Sequence, residues 1–220
     1  MFQGFTDETV DFLWGIRFNN DREWFAENKP IFQRAVQTPM KELAEELYDW
    51  FAEAHPSLCV NMHISRIYRD ARRLFGRGPF KDHMWFSFRT AEHSAGAPCF
   101  YFELAPEGWS YGMGFFAENA AVSERFRRFI DRDPQKMDAL AAKYEKQTEF
   151  ALAGPSYARS KGHRGTRIEQ WYNKKSWSLC ADRPYDAVSN SRDLVEHLKR
   201  AFDALMPYFL YLDQVYKSAE

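Results

Sequence analysis

Residues 99–115 read CFYFELAPEGWSYGMGF, two runs in which large apolar side chains alternate with smaller or polar ones. Alternation of this kind predicts β-strands that bury one face. Pro106, Glu107 and Gly108 separate the two runs and favour a tight turn. Strands joined by such a short connection pair in antiparallel fashion, so this stretch sets the fold class.

The same alternation occurs at residues 58–65 and 84–89, and a looser turn is predicted from Thr90 to Pro98. The four segments predict an antiparallel meander of about four to five strands, with one face covered by helices. Residues 177–180 are the candidate for the additional strand.

Helical patterns precede the predicted sheet. Thr6 can cap a first helix, and Asn20 with Glu23 resembles a capping box for a second. Thr38 and Pro39 mark the start of a third, whose apolar residues recur at helical spacing.

Helices also follow the sheet, at residues 121–130, 133–144 and 191–205, with a short aromatic segment behind Pro207. The sequence contains no internal repeat and no linker. We therefore predict a single α+β domain over residues 1–220. It should be helical over 1–56, form the sheet over 57–116 and be mainly helical over 117–220.

The composition is that of a globular protein without a strong overall charge. Of the 220 residues, 30 are Lys or Arg and 31 are Asp or Glu, which gives a net charge of −1. This balance argues against binding nucleic acid or anionic lipid through overall charge, so such binding would need a local patch. Hydrophobic residues make up 45% of the chain and aromatic residues 17%, which excludes a disordered protein.

Several features favour a cytoplasmic protein without a membrane partner. We expect no signal peptide. The sequence has no stretch of about 18 apolar residues, so no membrane-spanning helix is predicted. Cys59, Cys99 and Cys180 are widely spaced and odd in number, which argues against a disulfide framework and a thiolate zinc site. The histidines lack zinc-binding spacing, so neither a metal nor another cofactor is predicted.

The densest polar cluster lies at residues 66–83, where six cations and two acids fall within 18 positions. If a strand continues past Ile64, Arg66 shares the buried face of that residue. A buried arginine needs a carboxylate or a bound anion, and its planar fork suits phosphate and carboxylate groups. The cluster therefore predicts an anion site.

An ion-pair network would satisfy the same residues. Arg66 could pair with Asp70, while Arg69 or Arg72 could pair with a helix carboxylate such as Glu23. Charge clusters mark functional sites only in part of the cases, so both interpretations stay open at this point.

The sequence contains the blocks NNDREWF at residues 19–25 and RIYRDAR at residues 66–72. Together they resemble the bacterial family catalogued as domain of unknown function 2461. The resemblance extends over nearly the whole chain, through Gly112, Gly114 and the residues Lys175-Ser176-Trp177. The family has no assigned activity, so the resemblance implies the location of a site and no reaction.

The resemblance implies five site residues, which are Arg66, Arg69, Asp70, Arg72 and Lys81. The chain departs from the family pattern at four positions, which are Arg73, Gly76, Arg77 and Phe80. The family pattern has an aspartate or asparagine where this chain has Gly76, and a tyrosine where it has Phe80. If either lost group is catalytic in the family, this member binds its ligand without turning it over.

We predict a site that binds a small anionic ligand carrying phosphate or carboxylate, and turnover of that ligand stays open at this point. The ligand-binding candidates are Arg66, Arg69, Arg72, Lys81, Tyr68 and Asn20. Asp70 would orient an arginine or act as a base, and His83 could carry a proton.

Two other functions remain open. A nucleic-acid-binding accessory protein would use the same cations together with the basic loop at residues 154–167. A structural or interaction module would use the arginines only in ion pairs. The acidic amino-terminal helices and the near-zero net charge argue against the nucleic-acid function. A concentration of cations with few nearby acids favours a small-anion ligand over a bracing network, which needs near-equal numbers of both charges.

Overall fold

The computed structural model describes residues 1–74, 76–90, 97–116 and 120–218, without the side chain of Arg73. The α-helices are α1 (Asp7–Phe18), α2 (Arg22–Ile31), α3 (Thr38–Ala54), α4 (Ala120–Arg132), α5 (Pro134–Tyr144), α6 (Glu169–Tyr172) and α7 (Asp193–Lys217). The strands are β1 (Val60–Ile64), β2 (Met84–Thr90), β3 (Cys99–Ala105), β4 (Gly108–Phe115), β5 (Ala151–Ala153) and β6 (Trp177–Arg183). The turn predicted from Thr90 to Pro98 lies largely outside the described residues.

The strands form one antiparallel sheet in the order β1-β2-β3-β4-β6-β5. Because the first four strands are neighbours in sequence order, the predicted meander and the α+β class with a single domain are confirmed. The sheet has six strands, more than the four to five predicted. The extra strand, β5, has three residues, too few to show alternation, and pairs Ala151 with Cys180 of β6.

The contacts within the chain group into two compact units. Unit 1 comprises residues 1–88, 101–111 and 182–200, and unit 2 comprises residues 89–100, 112–181 and 201–220. Strands β2, β3, β4 and β6 contribute residues to both units, so each unit contains part of the sheet.

The core of unit 1 is built from aromatic side chains at alternate strand positions. Phe86 of β2 is fully buried, and its ring centroid lies 5.4 Å from both Phe88 and Phe102. From α3, Tyr48 and Phe51 contact the Phe88 ring at 6.0 Å and 5.9 Å. The apolar stripe of α3 therefore covers the buried face of the sheet in this unit, as its helical spacing predicts.

Unit 2 has an aromatic core of its own. Phe100 of β3 stacks on Phe209 of α7 at 4.7 Å and lies 4.9 Å from Phe202. Trp171 and Trp177 meet edge to face at 5.0 Å, and both are fully buried. The aromatic residues that are frequent in the composition thus fill the interiors of both units.

The third helix begins at Thr38 with Pro39 in its first turn, as predicted. Thr38 is itself helical rather than a cap, because α2 continues into α3 through a π-helical turn at Phe32–Gln37, in which the Thr38 N–H donates to the Gln33 carbonyl. The helix boundary predicted at Pro207 is wrong. Pro207 is predicted to separate a terminal segment, but it lies inside the 25-residue α7. Tyr208 and Phe209 are buried next to it, and this packing outweighs the hydrogen bond that proline removes.

In the described ranges, no helix combines the length and the apolar composition that a membrane span requires.

The strand predicted to continue past Ile64 ends at that residue. Ser65 is buried instead, where its N–H donates to the Trp85 carbonyl at 2.8 Å and its hydroxyl accepts from the Trp85 N–H at 3.0 Å. The alternation changes phase at this point, so Arg66 is exposed and Ile67 is buried. The prediction that Arg66 lies on the buried face is therefore wrong.

Phe86→Ala should lower the free energy of unfolding by about 3–5 kcal/mol, because it leaves a cavity between two buried rings. Urea denaturation measures this change. Phe18→Ala is the control, since the Phe18 side chain is 75% exposed; its cost should stay below about 1 kcal/mol. Equal losses in the two variants would contradict the place of Phe86 in the core.

Candidate functional site

Residues 66–70 and 79–82 lie side by side as an irregular antiparallel pair in unit 1. Tyr68 and Phe80 form an isolated bridge. The Arg69 N–H donates to the Pro79 carbonyl at 2.8 Å, and the Lys81 N–H donates to the Ile67 carbonyl at 2.7 Å. This pairing places the early and late cations of the predicted cluster next to each other.

Asn20 connects this pair to the start of α2. Its amide nitrogen donates to the Phe80 carbonyl at 3.0 Å, and its amide oxygen accepts from the Phe80 N–H at 2.9 Å. Gly78 lies so close that a Cβ there would overlap the Asn20 backbone, which accounts for a glycine. The residue that caps α2 is Asp21, which accepts from the Trp24 N–H at 2.9 Å, and not Asn20 as predicted.

An aromatic cluster lies beneath the pair. Phe80 is fully buried and stacks on Phe25 at 4.3 Å. Tyr68 contacts Phe25 at 5.9 Å and Phe80 at 5.2 Å, yet it is 56% exposed. The ring of Tyr68 thus lies at the surface beside the cations, as a ligand-binding candidate would.

Asp82 lies at the centre of the charged groups in unit 1. Its carboxylate accepts from Arg17 Nε at 2.7 Å, lies 3.1 Å from His83 Nδ1 and is 3.8 Å from Arg69 Nη2. Burial acts to raise the pKa of Asp82, but the hydrogen bonds from His83 and Arg17 outweigh it and hold this pKa below its ordinary value. Asp82 is therefore ionised and fixes the orientation of the His83 ring.

Arg17 of α1 joins two acids. Besides Asp82, it bonds to Glu107 in the β3–β4 turn through both terminal nitrogens, one of them at 3.1 Å. The hydrogen bonds to Glu107 and Asp82 raise the pKa of Arg17 despite its partial burial, while the same contact lowers the pKa of Glu107. This arginine is thus fully engaged in holding α1 to the sheet.

Lys81 is half-buried, and the charges of two arginines and one glutamate act on it. Its ammonium lies 5.8 Å from the centre of the Trp85 ring. Burial lowers the pKa of Lys81, and the charges of Arg69 and Arg66 lower it further, whereas Glu103 acts in the opposite direction. Within the described residues, neither Lys81 nor Arg66 forms an ion pair with a carboxylate.

Glu103 of β3 is the half-buried acid beside Lys81 and His83. Burial raises its pKa, and the carboxylates of Asp182 and Asp82 add to this effect, whereas His83 and Lys81 oppose it. Glu103 also lines a cavity of about 350 Å³ in unit 1 together with Trp109 and Asp182. A carboxyl group in this setting holds its proton at a higher pH than an ordinary glutamate does, which suits proton exchange.

The other predicted site residues are used differently. Arg69 is 17% exposed, and its Nε donates to the Phe80 carbonyl at 2.6 Å. Asp70 accepts from the Arg72 backbone at 3.0 Å and pairs with the Arg72 side chain at 2.8 Å, and that side chain is 87% exposed. Of the predicted residues, the structure therefore brings Arg66, Arg69, Lys81 and His83 together, while Asp70 and Arg72 satisfy each other.

Sequence reasoning does not select three residues of this site: Glu103, Asp82 as the partner of His83, and Arg17. An acid between Phe102 and Leu104, in a strand of alternating aromatic residues, is a signal that could have indicated Glu103. Its neighbours follow from the pairing of β2 with β3, which the sequence alone does not specify. Among the described residues, no three His, Cys, Asp or Glu come together as a metal site.

A family model described as "Conserved hypothetical protein (DUF2461)" matches residues 8–211. The match includes both blocks that carry the resemblance, at residues 19–25 and 66–72. A search of curated proteins finds no match.

Glu103→Gln and Asp82→Asn should change stability in opposite directions at neutral pH. The folded state raises the pKa of Glu103, so its ionised form opposes folding, and Glu103→Gln should be more stable than the wild type at pH 7.5. This advantage should shrink as the pH falls and the wild-type carboxyl takes up its proton. Urea denaturation between pH 4 and 8 measures the difference.

The folded state lowers the pKa of Asp82, so its ionised form stabilises the fold above its ordinary pKa, and this contribution is lost as the pH falls through the folded-state value. Asp82→Asn should cost about 2 kcal/mol at pH 7.5, as expected for lost hydrogen bonds to a charged group. A pH-independent offset of the same sign for both variants would contradict these environments.

Proposed function

The chain belongs to the family of conserved hypothetical proteins DUF2461. Because the description of this family states no activity, we propose a function from the contacts and charges of the site itself. The protein binds a small anionic ligand that carries phosphate or carboxylate. Lys81 and Arg66 hold the anion, Arg69 adds positive charge behind them, and His83 and Glu103 exchange a proton with the ligand.

The observation that carries this proposal is the excess of positive charge around Lys81. Burying an ammonium group near two guanidinium groups costs free energy, because each charge disfavours the others. Arg69 is partly neutralised by Asp82, but within the described residues Lys81 and Arg66 have no carboxylate partner in ion-pair contact. A bound anion would remove this cost, and for that reason the arrangement suits a ligand better than it suits an empty site.

The neighbouring groups favour a ligand that gains or loses a proton. His83 meets Asp82 through Nδ1, which leaves Nε2 as the nitrogen able to meet a ligand. Glu103 holds its proton more tightly than an ordinary glutamate because it is half-buried near other acids. The site thus combines cations that bind an anion with two groups that can exchange a proton, the imidazole of His83 and the carboxyl group of Glu103.

The two alternative functions explain fewer of these observations. In a purely structural module the arginines form ion pairs, which describes Arg69 with Asp82 and Arg72 with Asp70 but leaves Lys81 and Arg66 unexplained. A nucleic-acid site would use the cations of residues 154–167, but Arg167 is engaged with Asp138 and Glu145. The small-anion site is therefore the function that we propose.

A cytoplasmic location is part of this proposal. Cys59, Cys99 and Cys180, all among the described residues, are not joined by a disulfide, which is the usual state in a reducing compartment. Burial raises the pKa of Cys99 to about 11, so this thiol packs as an apolar group rather than reacting.

Inorganic phosphate, citrate or phenyl phosphate should raise the melting temperature of the wild-type protein at low salt, because a ligand that binds the folded state stabilises it. We expect the dissociation constant of the best probe to rise about tenfold in Lys81→Gln and in Arg66→Gln, as expected for loss of a charge-assisted hydrogen bond. Isothermal titration calorimetry measures these constants. Arg72→Gln is the matched control, since this arginine already pairs with Asp70, and it should leave binding unchanged.

The screen also includes a short single-stranded DNA. A shift with DNA alone, with a steep dependence on salt, would favour the nucleic-acid function instead. Absence of any shift would favour ion pairing as the only role of the cations. Equal weakening by Arg72→Gln and Lys81→Gln would overturn the assignment of the anion to Lys81.

A further inference from the structure

The basic loop at residues 154–167 lies in unit 2 and does not act there as one surface. Arg167 lies 3.7 Å from Asp138 and 3.6 Å from Glu145. The His163 ring lies 3.2 Å from Asp131. Lys161 is used differently, because its ammonium lies over the ring of Tyr157, 5.0 Å from its centre.

Tyr157 is in contact with a second cation. The guanidinium of Arg127, from α4, also lies 5.0 Å from the centre of the Tyr157 ring. The phenol oxygen is 3.0 Å from the hydroxyl of Ser123. The hydrogen bonds with Ser123 and Arg127 lower the pKa of Tyr157, and the charge of Lys161 lowers it further. The phenol hydroxyl therefore lies in a positively charged environment.

Neither of these two cations is neutralised by the described part of the chain. Arg127 Nη1 is buried without a hydrogen-bond partner there. No ion pair joins Arg127 or Lys161 to a described carboxylate, whereas the adjacent Arg128 pairs with Glu124. A buried guanidinium without a carboxylate partner costs free energy, and an oxyanion bound nearby would lower that cost through its opposite charge.

Tyr157 also lines a cavity of about 310 Å³, together with Ser156, Ser160, Asn173 and Lys174. Its one acid, Glu169, is already satisfied, since it accepts from the Ser160 hydroxyl at 3.3 Å and from the Gly165 N–H at 2.9 Å. This volume is at the lower end of the range for small-molecule sites, so an oxyanion with a small organic group fits.

We propose that this cavity is a second ligand site, which takes a small organic phosphate or carboxylate bound by the hydroxyl of Tyr157 and attracted by the charges of Arg127 and Lys161. These two cations do not line the cavity themselves but contact the ring of Tyr157, which does. The polar wall of the cavity accommodates the rest of the ligand. The site shares no residue with Lys81, Arg66 and their neighbours in unit 1. Its existence is therefore independent of the proposed function.

The test measures binding of phenyl phosphate and benzoate to the full-length protein by isothermal titration calorimetry, in the wild type and in Lys81→Gln. In the second background, binding at Lys81 is about tenfold weaker, so the remaining binding reports mainly on the site at Tyr157. In that background, we expect the dissociation constant to rise about tenfold in Lys161→Gln and in Arg127→Gln. Tyr157→Phe keeps the ring and removes one hydroxyl, so it should raise the dissociation constant about threefold.

Arg128→Gln is the matched control, because it removes a neighbouring cation of the same helix that is already paired with Glu124. It should leave the dissociation constant unchanged. Lys161 is exposed on a loop, so Lys161→Gln keeps the test decisive even if Arg127→Gln fails to fold, and melting temperatures without ligand identify that case.

Three results would overturn the proposal. The first is that neither probe binds in the Lys81→Gln background, and the second is that binding persists unchanged when Lys161→Gln is added. The third is that Arg128→Gln weakens binding as much as Lys161→Gln does. Loss of all binding on Lys81→Gln alone would support the site in unit 1 and remove the one at Tyr157. The failures of the two proposals are thus distinguishable.

Discussion

The carboxylate of Asp82 is the interaction on which the charged region of unit 1 depends. It accepts from Arg17 of α1 at 2.7 Å, lies 3.1 Å from His83 Nδ1 and is 3.8 Å from Arg69 Nη2. One half-buried acid thereby connects a helix, the segment that follows β1 and the start of β2. A neutral residue here would leave three positively polarised groups without their shared acceptor, which is why this charge is retained despite its burial.

The distribution of charge around Asp82 explains why Lys81 has no carboxylate partner among the described residues. Asp82 partly neutralises Arg69, and Asp70 neutralises Arg72, so the local acids are already engaged. Within the described residues, Glu103 favours the charge of Lys81 without forming an ion pair with it, and other acids lie near Glu103. Lys81 and Arg66 are therefore without a carboxylate partner there, in the pair formed by residues 66–70 and 79–82. Arg127 and Lys161 of unit 2 likewise form no ion pair with a described carboxylate, and both contact Tyr157, which lines a cavity.

The sequence predicts the parts of this fold that depend on local periodicity. The alternation in residues 99–115 specifies the β3–β4 hairpin, and the charge density of residues 66–83 indicates the region of the site. Features that depend on tertiary packing are not predictable in this way. Burial of Ser65 shifts the phase that would have buried Arg66, and packing of Tyr208 and Phe209 carries α7 through Pro207. Glu103 becomes part of the site only because β3 pairs with β2.

The most direct test of the account is an NMR titration of the Lys81 ammonium group, in the free protein and with saturating phosphate or citrate. The account predicts that Lys81 titrates below the ordinary lysine value in the free protein, because burial and the neighbouring arginines disfavour its charge. It also predicts that the anion raises this pKa, since a bound negative charge favours the ammonium form. A Lys81 group that titrates at the ordinary value, and that responds to neither anion, would contradict the account.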